Sequence, residues 1–256
     1  NFDGNLKTIS RFNFSKIDQF NQFEPEIIFE KNNVIFFENK GAIFKFNDSS
    51  KLIWKKNYYS KSEKKLKPVL FFANNNNVLI VADNIAKYYA LNINTGELLW
   101  TKNHSAPFNS QLKIYQDKFF VIDNKNTLRC FSIKNGSEIW NFKSEEYIIK
   151  SPKKLSVVIS KDQVFFNNSL GDITSVNIDN GDLLWQVPTL SSLDIESKAF
   201  LKTSDLILAN QSIFFSNNQN DFFSLDSNTG SLNWQQKINS NLRPTFIEDF
   251  VFTVSM

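Results

Sequence analysis

The 256 residues include one cysteine, one histidine, one methionine, seven glycines and six prolines, and these shortages exclude several functions. The lone Cys130 can form no internal disulfide and no cysteine-based zinc site. Within the strand-like run from Thr127 to Ile133 it reads as a small buried hydrophobe. A disulfide-free chain suits a reducing or an oxidising compartment equally. His104, in the polar stretch TKNHSAP, is the only residue around which a Ser-His-Asp arrangement could be built. No G-x-S-x-G elbow accompanies it, so it reads as a surface-loop residue. The glycines are dispersed among turns, which excludes a phosphate-cradling loop. No apolar run approaches the length of a membrane span. An excess of one charge is missing too: 29 basic and 26 acidic residues leave a net +3. That is too balanced for a nucleic-acid protein, which concentrates positive charge on one face. The densest basic stretch, Lys61 to Lys67 (KSEKKLK), contains Glu63 and reads as a solvated loop. A chain that opens on Asn1 instead of Met is expected to have lost a leader, an anchor or a larger segment.

Phenylalanine, by contrast, is abundant at 27 residues. With Val and Ile it favours half-buried strands, and the many Asn, Asp and Ser residues between them supply turns. The five tryptophans, Trp54, Trp100, Trp140, Trp185 and Trp234, fall 46, 40, 45 and 49 residues apart. Such a period matches one four-stranded propeller blade. The text before them repeats as well: ALNINTGELLW, FSIKNGSEIW, VNIDNGDLLW and SLDSNTGSLNW place Gly96, Gly136, Gly181 and Gly230 four residues before each Trp. The first copy, FKFNDSSKLIW, has Ser50 where the glycine belongs. This pattern predicts a hairpin in which Asn or Asp opens the turn and Gly supplies positive φ. Even offsets along the returning strand predict that position 98 and Trp100 share a face. Two further strand-like runs precede each turn, for example Val69 to Phe72 with Val78 to Ala82, or Leu206 to Ala209 with Ser212 to Phe215. The prediction is an all-β propeller with five complete four-stranded repeats. Residues 243–256 are expected to supply the first two strands of a sixth repeat, and residues 1–22 the last two. Together these make one domain over 1–256, either closed as six blades or a section of a larger ring.

The Gly-then-Trp repeats resemble the tryptophan-docking motifs of PQQ-like propellers, with Trp54, Trp100, Trp140, Trp185 and Trp234 as the blade-docking residues. Within that group the stretch from Ile17 to Phe46 and the segment SLNWQQKI are similar to the outer-membrane assembly factor BamB family. Two connections, Ser144 to Lys154 and Gln186 to Ser204, are longer than a minimal turn. In BamB proteins two such connections contact the barrel-forming subunit BamA, one through a leucine-rich stretch ending in Arg and the other through an acidic D-x-D. Tyr147-Ile148-Ile149-Lys150 is similar to the first, with Lys replacing the planar Arg fork. Asp194-Ile195-Glu196 is similar to the second. Two apart in extended chain, Asp194 and Glu196 would point the same way, which suits an exposed partner-binding edge better than acid–base catalysis. The resemblance implies a non-enzymatic, monomeric scaffold without cofactor. It would sit in the periplasm at the inner face of the outer membrane and bind a BamA-like subunit and unfolded outer-membrane clients. It also implies an N-terminal lipid anchor, which this sequence does not show. The other branch of the PQQ-like group, the quinoprotein dehydrogenases, uses an adjacent cysteine pair, calcium-binding carboxylates and a catalytic Asp. The single Cys130 rules out the pair, and no acidic cluster has calcium-loop spacing.

Overall fold

A computed structural model describes residues 26–145, 154–189, 203–217, 219–238, 240, 242–248 and 250–254. The chain divides into two compact units, Asn1–Ser105 and Ala106–Met256. The first unit contains two four-stranded sheets. One is β1–β4 (Ile28–Glu30, Asn33–Phe37, Ala42–Asn47, Leu52–Asn57), and the other is β5–β8 (Leu70–Asn75, Val78–Asp83, Lys87–Asn92, Leu98–Asn103). A short helix, α1 (Lys61–Lys65), lies between them in sequence. The second unit contains three more four-stranded sheets. These are β9–β12 (Lys113–Tyr115, Lys118–Ile122, Thr127–Ser132, Glu138–Lys143), β13–β16 (Val157–Ile159, Gln163–Asn167, Ile173–Asn177, Leu183–Val187) and β17–β20 (Ile207–Ala209, Ser212–Ser216, Phe222–Asp226, Leu232–Gln236). A two-stranded hairpin follows, β21–β22 (Thr245–Ile247, Phe250–Phe252). Every sheet is an antiparallel meander with strands adjacent in chain order, the build of a PQQ-like propeller blade.

Paired phenylalanines explain why the sheets stack. Adjacent residues of a strand point to opposite faces, so a Phe-Phe dipeptide in a central strand serves two cores. On β14, Phe166 joins the cluster of Phe120, Cys130, Trp140 and Val157, while Phe165 joins that of Ile213, Phe215 and Leu225. Both rings are fully buried, each contributing about 1.5–3 kcal/mol. In the first unit, Ile35, Ile43, Leu79, Val81 and Tyr89 form the equivalent core between its two sheets.

The turn glycines have a second role beyond their backbone conformation. Gly96, Gly181 and Gly230 all adopt positive φ, at 71°, 78° and 73°. Each also lies under the tryptophan of the preceding repeat. A Cβ on Gly96 would approach Trp54 to 2.8 Å, one on Gly181 would approach Trp140 to 2.6 Å, and one on Gly230 would approach Trp185 to 2.7 Å. The same indoles donate Nε1–H to a carbonyl in the facing repeat: Trp54 to Ile93 (3.1 Å), Trp140 to Ile178 (3.2 Å) and Trp185 to Ser227 (3.0 Å). Ser50, in the glycine position of the first copy, takes φ +59° despite its side chain.

Two expectations are corrected. Position 98 and Trp100 do not share a face. In all five sheets the register slips between the third and fourth strands: Ala90 pairs with Trp100 but Leu91 with Leu98, leaving Leu99 unpaired. Neighbours on β7 face opposite ways, so their partners Trp100 and Leu98 do too; this is a β-bulge. The leucines at this position, Leu52, Leu98, Leu183 and Leu232, are consequently exposed while Trp54 and Trp140 are buried. The basic stretch at Lys61 is likewise helical, because a capping box nucleates α1. Ser60 Oγ accepts from Glu63 N (3.3 Å), and Glu63 Oε2 accepts from Ser60 N (2.6 Å).

Candidate partner-binding site

The two long connections start and end on a frame of repeated turns in the second unit. An Asp or Asn closes each second strand: Asp123 and, in the next two sheets, Asn168 and Asn217. Its Oδ1 accepts the backbone N–H groups two and four residues on, at 2.8–3.1 Å. This is the ordinary Asx-turn device. Asp123 is fully buried, and its other oxygen accepts Arg129 Nε at 2.7 Å. Arg129 also donates Nη1–H to Glu138 at 2.8 Å. Burial works against its charge, yet these two bonds raise the guanidinium pKa.

The turn held by Asp123 presents Asn126 at φ +57° and almost fully buried, a conformation Asn tolerates better than most residues. Asn126 Nδ2 donates to Glu145 O (3.0 Å) and to Ser169 Oγ (2.8 Å), while its Oδ1 accepts from Ser169 N (3.2 Å). Ser144 Oγ donates to Asn126 O (3.1 Å). The first connection therefore leaves its sheet pinned to the β14–β15 turn. The second leaves from the same turn: Thr189 Oγ1 donates to Gly171 O (2.8 Å), and Gln186 Nε2 reaches Asp172 at 3.5 Å. Their returns are also linked. Ser156 N donates to Asn167 Oδ1 (2.6 Å), and Asn167 Nδ2 donates to Thr203 Oγ1 (2.7 Å). Thus Ser169, Gly171 and Asn167 tie both connections to one end of the β13–β16 sheet.

Tyr147, Ile149, Lys150, Asp194 and Glu196 lie outside the described residues. The anchoring residues Asn126, Ser169, Gly171 and Thr189 escaped the sequence reading. A signal for the turns was present, since Asp83, Asp123, Asn168 and Asn217 each stand seventeen residues before Trp100, Trp140, Trp185 and Trp234. Among the described residues no group of three or more His, Cys, Asp or Glu side chains is placed to share a metal ion. The Cys130 thiol, fully enclosed, is pushed up to about 12 by burial. No described helix is long and apolar enough to cross a membrane.

The family model described as outer membrane protein assembly factor BamB matches residues 39–256. The chain belongs to the BamB family. Among solved structures, BamB from Moraxella catarrhalis superposes with a TM-score of 0.72 at 16% identity, covering 88% of this chain and 68% of that one. The computationally designed Ika8 protein gives 0.70 at 13% identity, covering 90% and 67%. A quinohemoprotein alcohol dehydrogenase from Comamonas testosteroni gives 0.65 at 12%, covering 83% and 42%. At these identities the structures establish the PQQ-like propeller fold. No curated protein sequence matches this BamB-family chain.

Proposed function

We propose that this chain is a non-catalytic scaffold of outer-membrane β-barrel assembly. In this reading it works in the periplasm and holds a BamA-like subunit through the connections 144–154 and 186–204. The observation that carries the reading is the shared anchorage: one turn, Ser169 to Asp172, fixes the departure of both connections. Two loops tied at their ends to one sheet would present a single composite surface, and rigid presentation lowers the entropic cost of binding. Lys150 would offer a cation to that surface, and Asp194 with Glu196 a pair of carboxylates. Opposite signs on one surface favour register and partner choice more than raw affinity.

The test is calorimetric titration of the full chain with the periplasmic domains of BamA from the same source. Wild-type binding in the micromolar range or tighter is expected, weakened about tenfold by Lys150→Glu and by Asp194→Ala with Glu196→Ala. Circular dichroism should show every variant folded. Binding that ignores the substitutions would keep the partner and discard the loops, and no binding by the folded wild type would discard the partner.

A quinoprotein-like enzyme or PQQ-binding sensor is the competing reading, favoured by the likeness in fold to the alcohol dehydrogenase. Titration with pyrroloquinoline quinone and calcium separates the two. Saturable binding with a spectral change would support the enzyme or sensor, and silence is expected for the scaffold.

A further inference from the structure

Asparagine followed by glycine occurs twice, at Asn135-Gly136 and Asn180-Gly181, each time in the turn between the third and fourth strands of a sheet. The second and fifth repeats put Thr95 and Thr229 in the asparagine's place. Before a glycine, an asparagine side chain is open to attack by the next main-chain nitrogen, because no Cβ shields the approach. Both asparagines are exposed, and both glycines have positive φ, 65° at Gly136 and 78° at Gly181. Their N–H groups are held alike, Gly136 donating to Ser132 O (2.8 Å) and Gly181 to Asn177 O (2.9 Å). The nucleophile is thus similarly restrained in the two turns.

The side-chain amides differ. Asn135 Oδ1 accepts from Ser137 N (3.0 Å) and from Ser137 Oγ (2.8 Å). A main-chain N–H can only donate, which fixes the end of the amide that is oxygen. Two donors on that oxygen draw electrons from Cγ and stabilise negative charge developing there, as in an oxyanion hole. Among the described residues no acceptor holds Asn135 Nδ2. Asn180 Oδ1 accepts from Asp182 N (3.1 Å), but its Nδ2 donates to the Asp182 carboxylate at 2.6 Å. That charge-assisted bond holds the nitrogen that would have to leave. The carboxylate also opposes a second negative charge forming beside it.

We propose that Asn135 is a site of spontaneous deamidation, from which the otherwise similar Asn180 is shielded by Asp182. The Gly136 nitrogen forms a bond to Asn135 Cγ and the Cγ–Nδ2 bond breaks. The amide nitrogen leaves as ammonia, carrying the proton that the glycine nitrogen gave up. Water then opens the resulting succinimide at either carbonyl, giving aspartate or isoaspartate at position 135. Either product adds a negative charge, and isoaspartate also lengthens the main chain of the turn by one atom. The site is independent of the BamA-binding reading, because neither long connection contains it.

Peptide mapping by mass spectrometry, after prolonged incubation of the folded full chain in mildly alkaline buffer, tests the proposal. Conversion at Asn135 is expected to run about tenfold faster than at Asn180. In urea the hydrogen bonds that distinguish the sites are lost, and the two rates should come within about twofold of each other. Exchanging the neighbours, Ser137→Asp with Asp182→Ser, should reverse the order in a chain that circular dichroism shows to be folded. Asn135→Thr, which copies Thr95 and Thr229, should fold and remove the product from its peptide. The proposal is overturned if the folded wild type converts both sites at one rate, or converts neither while the unfolded chain does. It is equally overturned if the unfolded chain keeps the full preference, or if the exchanged, folded variant leaves the order as it was.

Discussion

Asp83 shows how one buried group can make stability depend on pH. It is wholly inaccessible, and its carboxylate accepts from Tyr59 Oη (2.6 Å), Ile85 N (2.9 Å) and Lys87 N (2.8 Å). Burial nevertheless dominates and pushes its pKa from 3.8 up to about 6, the hydrogen bonds opposing the rise. Between those values the folded state holds a proton that the unfolded state has released. Stability from this residue is therefore complete below pH 3.8 and is lost as pH climbs through about 6. Asn at the equivalent positions 168 and 217 makes the same Asx turn, so Asp83→Asn should fold and erase this contribution. Melting temperatures of wild type and variant, compared from pH 4 to 7, are expected to diverge across that window. Parallel curves would show that Asp83 is not the titrating group.

At the scale of elements, the Trp-on-Gly contact joins one sheet to the next, and its strength lies in fit. Gly181→Ala would both strain a backbone at φ +78° and drive a methyl to 2.6 Å from the Trp140 ring. Together these effects should destabilise the second unit by about 2–4 kcal/mol. Denaturant unfolding checks this, and a loss under 1 kcal/mol would mean the indole simply moves aside. The hairpin role of these glycines was legible in the sequence, because N-x-N-T-G-E and its variants are turn chemistry. Their packing role was not, since a turn motif carries no information about what approaches it from another repeat. The β-bulge was hidden for a related reason. Strict alternation assumes a regular ladder, and nothing in LLW or EIW announces that Leu99 or Ile139 will fall out of register.

For the molecule as a whole, the repeat period was readable from five tryptophans, and with it the four-stranded sheets. The candidate site was readable only as two long connections. Their common anchorage depends on Asn126 reaching Ser169, forty-three residues away, through side-chain hydrogen bonds that no local pattern encodes. If that anchorage presents the partner surface, Asn126→Ala should weaken BamA binding about three- to tenfold without touching a contact residue. The same change should cost about 1–3 kcal/mol of stability. Calorimetry alongside thermal melting separates the two effects, and unchanged affinity in a destabilised variant would detach the anchor from function.

The bulge on every fourth strand has one more consequence. β4, β8, β12, β16 and β20 each stand at the margin of their sheet, with apolar side chains such as Leu52, Leu99 and Leu184 turned to water. A flat, sticky margin of that kind would recruit a foreign strand and seed fibres. The extra residue breaks the even row of N–H and C=O groups and twists the margin away from any straight neighbour. A chain carrying 27 phenylalanines thus has, five times over, a built-in guard against polymerising with itself.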